Sequence, residues 1–210
     1  MADELRLWLI GADAVRDFFA APPELAERLR EITATVVPAS RRSEGWRSKI
    51  GPLMRHSGPG VIQPGVPNLV DGEAMMTGRF VAADRLGVSW IILRAWLDAL
   101  AAAHTTIPLP ADKLDSLEFD LVRAEVPTRV SIRHLWGRGL DMPLRPDGNM
   151  SFGYMDAASL TQLVDTWTTA LPDLEADTVT FATPLLEFLA GFTGTEEPPA
   201  AGMVAWWTAR

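Results

Sequence analysis

The chain has 210 residues, of which 48% are hydrophobic and 22% are charged, and it contains no cysteine. This composition is typical of a globular protein and excludes the disordered and membrane-embedded classes. The absence of cysteine excludes disulfides, thiolate zinc sites and a cysteine nucleophile. The first residues, MADELRLWLI, are acidic where a secretory signal is basic, so we expect a cytoplasmic protein without a membrane partner.

Charge is segregated along the chain. Residues 1–145 hold 18 basic and 18 acidic side chains, whereas residues 146–209 hold nine carboxylates and no Lys, Arg or His. The net charge of −8 therefore comes from the last third of the chain. Because phosphate would be repelled, this excess disfavours nucleic acid as a partner and favours a basic protein.

The first predicted elements are a strand and two helices. Residues 5–10, LRLWLI, form a short apolar run that is typical of a buried strand. Asp13 then suits the N-cap of a helix over residues 14–21. Pro23 suits the first turn of a second helix, because proline is tolerated there.

A long connection follows between residues 38 and 78. Proline and glycine recur throughout it, which is unfavourable for a central strand or a regular helix. It also contains the main basic cluster of the chain, which is Arg41, Arg42, Arg47, Lys49 and Arg55. His56 follows this cluster and is a candidate for binding an anionic ligand, although a solvated loop histidine fits the same pattern.

Residues 89–104 predict a helix at the centre of the core. Ser89 suits its N-cap, and apolar residues surround nearly the whole helix. Arg94 and Asp98 are the exceptions and, being four residues apart, share one face. We expect this pair at the solvent edge of the helix or, alternatively, beside a ligand site in which Arg94 binds an anion.

Two further strands are predicted at residues 117–126 and 129–135, where apolar and polar residues alternate. The short segment between them would form a hairpin turn within a mostly antiparallel sheet.

The tightest polar group of the chain follows the second of these predicted strands. His134 and Asp141 fit an acid–base pair, and Trp136 and Arg138 fit ligand-binding residues beside it. A histidine at a strand end is also commonly structural, so the alternative of a packing role stays open.

The last third predicts two more helices. Asp156 suits the N-cap of an amphipathic helix that ends at Pro172. Thr183 and Pro184 are typical of the start of another helix.

These elements indicate the α+β class, with a small mostly antiparallel sheet packed by the buried helix 89–104 and several amphipathic helices. We expect one globular domain over residues 1–195. Residues 196–210 are predicted to be a linker and a tail that carries Trp206 and Trp207. Large aromatic side chains are normally covered, so this pair either packs on the core or contacts another molecule.

No known cofactor or metal motif occurs. The chain has neither a glycine-rich phosphate loop nor a serine-hydrolase elbow, and its three histidines lack metal-ligand spacing. We therefore expect no cofactor and no metal.

Three stretches resemble a known group of proteins. They are LRLWLI, GRFVAADRLGVSWIILRAWLDALA and GLDMPLRPDGNMSFGYMDAASL. In this order they are similar to a family of uncharacterised actinobacterial cytoplasmic proteins, distantly YfbM-like. The resemblance covers about two thirds of the chain. It implies an α+β fold and a cytoplasmic location, and it assigns no catalytic residue.

Two functional hypotheses follow. The first is a non-enzymatic intracellular binding protein, with an immunity or regulatory role, whose acidic C-terminal surface meets a basic partner. Surplus carboxylates for solubility are its simpler alternative. The candidate contacts are Asp173, Glu175, Asp177, Glu196 and Glu197. The second hypothesis is an enzyme or a binder of a small molecule, with an acid–base site around His134 and Asp141.

Overall fold

The structure is a computed structural model that describes residues 3–38, 64–146, 148–193 and 201–209. Four strands form one antiparallel sheet in the order β2-β1-β4-β3. These strands are β1 (Glu4–Leu9), β2 (His104–Pro108), β3 (Met150–Asp156) and β4 (Gly202–Thr208). The helices are α1 (Ala12–Asp17), α2 (Pro23–Val36), α3 (Leu69–Met76), α4 (Leu86–Leu100), α5 (Ala111–Arg123), α6 (Ile132–Trp136), α7 (Ala157–Ala170) and α8 (Ala176–Ala190). The predicted α+β class is confirmed.

The sheet separates two apolar cores. Side chains alternate along a strand, so Leu5 and Leu7 of β1 face one core while Trp8 faces the other. Helices α5 to α8 cover the leucine side, and helices α1 to α4 cover the tryptophan side.

The N-terminal elements follow the predicted order. Strand β1 forms at the predicted position, and Pro23 lies in the first turn of α2. Helix α1 begins before Asp13, and its N-cap is Gly11. Asp13 instead forms an ion pair with Arg16 one turn later, over 2.6 Å.

Helix α4 is the predicted central helix, although its bounds differ. It begins at Leu86 and ends at Leu100, and the predicted last residue, His104, opens β2. The helix begins earlier than predicted because the buried Leu86 extends the apolar pattern towards the N-terminus. Ser89 therefore lies inside the helix, where it is 1% exposed.

The two strands predicted over residues 117–126 and 129–135 are wrong. The first segment lies mostly in α5, where Leu117 and Leu121 are 1% exposed and share the buried face. Phe119 produced the apparent alternation but is 68% exposed. The second segment contains a 3-10 turn and α6, whose N-cap Ser131 accepts a hydrogen bond from a backbone N–H.

Part of the predicted irregular connection is helical. Helix α3 forms within it because Asn68 and Asp71 build a reciprocal capping box, with both hydrogen bonds at 3.0 Å. The glycine at position 72 lets this helix lie close to α2, since a Cβ there would be 3.0 Å from Thr33 Cγ2. The basic cluster and His56 lie outside the described residues.

The C-terminal helices confirm one prediction and correct another. Asp156 caps α7 and accepts a hydrogen bond from the Ser159 N–H over 2.8 Å. Helix α8 begins at Ala176, and Pro184 lies inside it. Thr178 lies in the turns before this proline and attaches α8 to α5, because its hydroxyl donates a hydrogen bond to the buried Asp120 of α5.

The segment predicted as a tail contributes β4 at the centre of the sheet. This strand pairs with β1 on one side and with β3 on the other. Trp206 is 8% exposed in the core, and Trp207 Nε1 donates to the Leu109 carbonyl over 2.9 Å. Of the two alternatives for the tryptophan pair, packing on the core is therefore the one observed.

Candidate binding surfaces

His134 and Asp141, the predicted acid–base pair, lie at the end of α6 and in the loop after it. The backbone N–H of His134 donates to Ser131 Oγ over 3.1 Å. Asp141 is exposed, with a left-handed φ of 51°. Within the described part of the chain, no hydrogen bond or ion pair joins their side chains. The structure does not bring them together as an acid–base pair.

Arg138 and Trp136, the predicted ligand-binding residues of this loop, have partners within the fold. Arg138 Nη1 lies 3.5 Å from Asp156 Oδ2 and donates to Ser159 Oγ over 3.4 Å. The Trp136 ring stacks on that of Trp207, with centroids 5.6 Å apart. Both side chains therefore attach α6 and its loop to neighbouring elements.

Two carboxyl groups among the described residues have pKa values that the fold shifts. The pKa of Asp156 is lowered, chiefly because it accepts the Ser159 N–H as the N-cap of α7. Burial raises the pKa of Glu118 in α5, although the backbone N–H of Arg133 donates to this carboxylate over 3.2 Å. A helix cap therefore accounts for the first shift, and burial accounts for the second.

The described ranges contain no group of three His, Asp or Glu side chains arranged as metal ligands. Each helix in these ranges is too short or too polar to span a bilayer. His56, Glu196 and Glu197 lie outside the described residues.

Arg94 and Asp98 lie at one edge of α4, as the sequence predicts. Arg94 Nε is 3.4 Å from Asp98 Oδ2, and the two side chains are 44% and 33% exposed. They line a groove of about 440 Å³ between α4 and the sheet, hereafter the α4 groove. Glu4 and Arg6 of β1 and Trp206 of β4 line its other side.

Carboxylates line two cavities on either side of the connection between α7 and α8. One, of about 430 Å³, lies between α5 and α8 and is lined by four acidic residues and Lys113. The other, of about 410 Å³, is lined by three acidic residues and no basic residue. The seven, hereafter the acidic surface, are Asp115, Asp120, Glu125, Asp165, Asp173, Glu175 and Asp177. The structure thus brings the predicted contacts Asp173, Glu175 and Asp177 together with carboxylates that the sequence did not single out.

Neighbouring cations neutralise part of the acidic surface. Four of its carboxylates form ion pairs, which are Lys113–Asp177, Arg123–Glu175, Arg133–Asp115 and, through the buried side chain of Asp120, Arg123–Asp120. Glu125, Asp165 and Asp173 are exposed and form no ion pair with a described residue. Exposed ion pairs contribute only about 0–1 kcal/mol, so an incoming cation can replace an internal one at little cost.

Two apolar side chains of α5 lie beside these carboxylates. Phe119 and Val122 are 68% and 66% exposed, and Phe119 lines the cavity between α5 and α8 together with Phe181. Exposed apolar groups rimmed by charge are typical of interaction sites. The sequence signal that identifies them is helical spacing, which places both away from the buried Leu117.

Comparison of the chain with known protein families, with curated proteins and with solved structures found no match in any of the three. The resemblance to YfbM-like domains therefore stays a prediction, and a function has to be inferred from the surfaces themselves.

Proposed function

We propose that this chain is a non-enzymatic binding protein that docks a basic partner on its acidic surface. The observation that supports the proposal is the position of Phe119, a largely exposed apolar side chain, in a cavity lined by four carboxylates. The narrower immunity or regulatory role stays a prediction.

Electrostatics gives this surface its selectivity. Residues 148–193 and 201–209 contain no basic side chain, so α7 and α8 cannot neutralise the carboxylates that they carry. The cations that pair with the acidic surface come from α5 and α6. The remaining negative field accelerates the approach of a basic protein and disfavours acidic competitors.

Apolar burial gives the affinity that exposed charges do not supply. Covering a phenylalanine side chain contributes roughly 1.5–3 kcal/mol. Phe119 and Val122, one helical turn apart, offer two such anchors. The partner that fits is a segment in which Arg or Lys residues flank an apolar side chain, because it covers the anchors and pairs with the carboxylates at once.

We expect a photo-crosslinking residue at position 119 to capture a partner directly. The matched control is position 80, since Phe80 is also a phenylalanine and is 76% exposed. Both variants, with benzoylphenylalanine at the chosen position, are expressed in the cells that naturally contain the protein. Adducts are then identified by mass spectrometry. A protein with a basic segment at the crosslinked point should appear only with the probe at position 119.

Two outcomes would count against the proposal. The first is that both probes give the same adducts, which indicates non-specific contact. The second is that the adduct at position 119 joins an acidic segment of the captured protein, which the charge of the surface cannot explain.

A further inference from the structure

The α4 groove lies on the opposite side of the sheet from the acidic surface. Its volume of about 440 Å³ is within the range of pockets that hold small molecules. Trp90 and Trp206, whose ring centroids lie 5.1 Å apart and whose planes are tilted by 54° to each other, give it an aromatic lining, and Ile91 at its edge is 46% exposed. The lining therefore suits an apolar body.

The carboxylates of the groove already have hydrogen-bond donors. Asp98 Oδ1 accepts the Trp8 Nε1–H over 2.7 Å, while its other oxygen faces Arg94. Glu4 Oε1 accepts from Arg6 Nε over 3.0 Å and from Arg6 Nη2 over 2.7 Å. Both carboxylates therefore have partners within the fold and are not available to bind a cationic ligand.

The hydrogen-bonding capacity that remains in the groove belongs to donors. Among the described residues, Arg94 forms an ion pair only with Asp98, with Nε nearest at 3.4 Å, and its guanidinium donates no hydrogen bond, so its two terminal nitrogens can bind a ligand. Trp206 Nε1 is buried and has no acceptor among the described residues. Unused donors beside an aromatic lining fit a ligand whose polar end is an acceptor.

We propose that the α4 groove binds a small aromatic carboxylate. The guanidinium of Arg94 holds the carboxylate of the ligand, and the ring of the ligand lies against Trp206 and Ile91. This site is separate from the acidic surface and does not depend on the function proposed for that surface.

The test titrates the whole protein with 2-naphthoate and follows the tryptophan indole N–H signals by NMR, assigned with tryptophan-to-phenylalanine variants. We expect saturable shifts at Trp90 and Trp206, which line the groove, and none at Trp167 and Trp207 across the sheet. The neutral isostere 2-naphthamide should bind at least about tenfold more weakly, because it lacks the charge that Arg94 recognises.

Two variants separate recognition from general effects of charge. Arg94→Gln should weaken the binding of 2-naphthoate about tenfold, whereas Arg129→Gln, on the other side of the sheet, should leave it unchanged. Equal binding of 2-naphthamide, an unchanged affinity in Arg94→Gln, shifts at Trp167, or no saturable shift at all would each overturn the proposal.

Discussion

A chain that ends at Ala201 is expected not to fold. The deletion removes β4, which pairs with β1 and β3 at the centre of the sheet. It also removes Met203, Val204 and Trp206, which are at most 8% exposed. Burial of each such side chain contributes roughly 1.5–3 kcal/mol. Their sum is comparable with the whole net stability of a domain, about 5–15 kcal/mol.

The matched control is a chain that ends at Thr208, which keeps the whole of β4 and loses one backbone hydrogen bond, from Ala209 N–H to Asn149. Urea unfolding followed by circular dichroism compares the two chains. The longer one should retain the cooperative transition and the shorter one should have none. A transition of similar midpoint in both would mean that β4 is peripheral to the fold.

Replacement of Arg85 by methionine should lower the free energy of unfolding by about 3–5 kcal/mol. The side chains of Arg85 and Asp71 are only 11% and 9% exposed. Arg85 Nε donates to Asp71 Oδ1 over 2.9 Å, and its Nη2 donates to the Val66 carbonyl over 2.8 Å. Without the guanidinium, the buried carboxylate of Asp71 loses its counter-charge while it still caps α3.

Two further variants show whether the effect is that of a buried charge. Arg30→Met breaks the Arg30–Glu73 pair, which is about half exposed, and should cost no more than about 1 kcal/mol. Adding Asp71→Asn to Arg85→Met removes the unpaired charge and should recover part of the stability. Two results would show that the buried pair does not hold α3 in place. One is that Arg85→Met lowers the free energy of unfolding no more than Arg30→Met does. The other is that the loss in the double variant equals the sum of the losses in Arg85→Met and Asp71→Asn.

Secondary structure is predicted best from the sequence where the pattern of apolar residues fits one kind of element and excludes the other. The apolar residues of β1 are too few for a helix, and those of α4 are too many for a strand, so both elements are of the predicted kind, although α4 begins three residues earlier than predicted. The prediction for α5 was wrong because Phe119 gives this segment a strand-like alternation, although the Phe119 side chain faces solvent. Helix α3 was not predicted because its capping box lies among prolines and glycines, which favour a loop.

Strand β4 shows what local patterns miss. Residues 203–207 are a continuous apolar run, which is typical of a strand buried on both faces. Its partners, β1 and β3, are distant in sequence, so only the folded chain shows that this run completes the sheet.

The candidate surfaces were predictable to different degrees. Charge counting identified Asp173, Glu175 and Asp177, but not the counterions of Glu175 and Asp177 on α5, because those contacts join residues more than 50 positions apart. For the α4 groove, the sequence identified Arg94 and Asp98 but not the opposite lining, because Glu4, Arg6 and Trp206 come from the two ends of the chain.

The measurement that tests the central claim most directly is the dissociation constant of the partner captured at position 119. It compares the wild-type chain with two triple variants at low and at physiological salt. Asp173→Asn, Glu175→Gln and Asp177→Asn neutralise the acidic surface. Their control neutralises three exposed carboxylates of α2, by Glu24→Gln, Glu27→Gln and Glu31→Gln.

We expect the first triple variant to bind about tenfold more weakly at low salt, with most of the difference lost at physiological salt, because exposed charges are screened there. The α2 variant should bind like the wild-type chain. Equal weakening by both triple variants, or a wild-type affinity that does not change with salt, would contradict recognition by the acidic surface. In that case, the carboxylates of the last third would serve solubility alone.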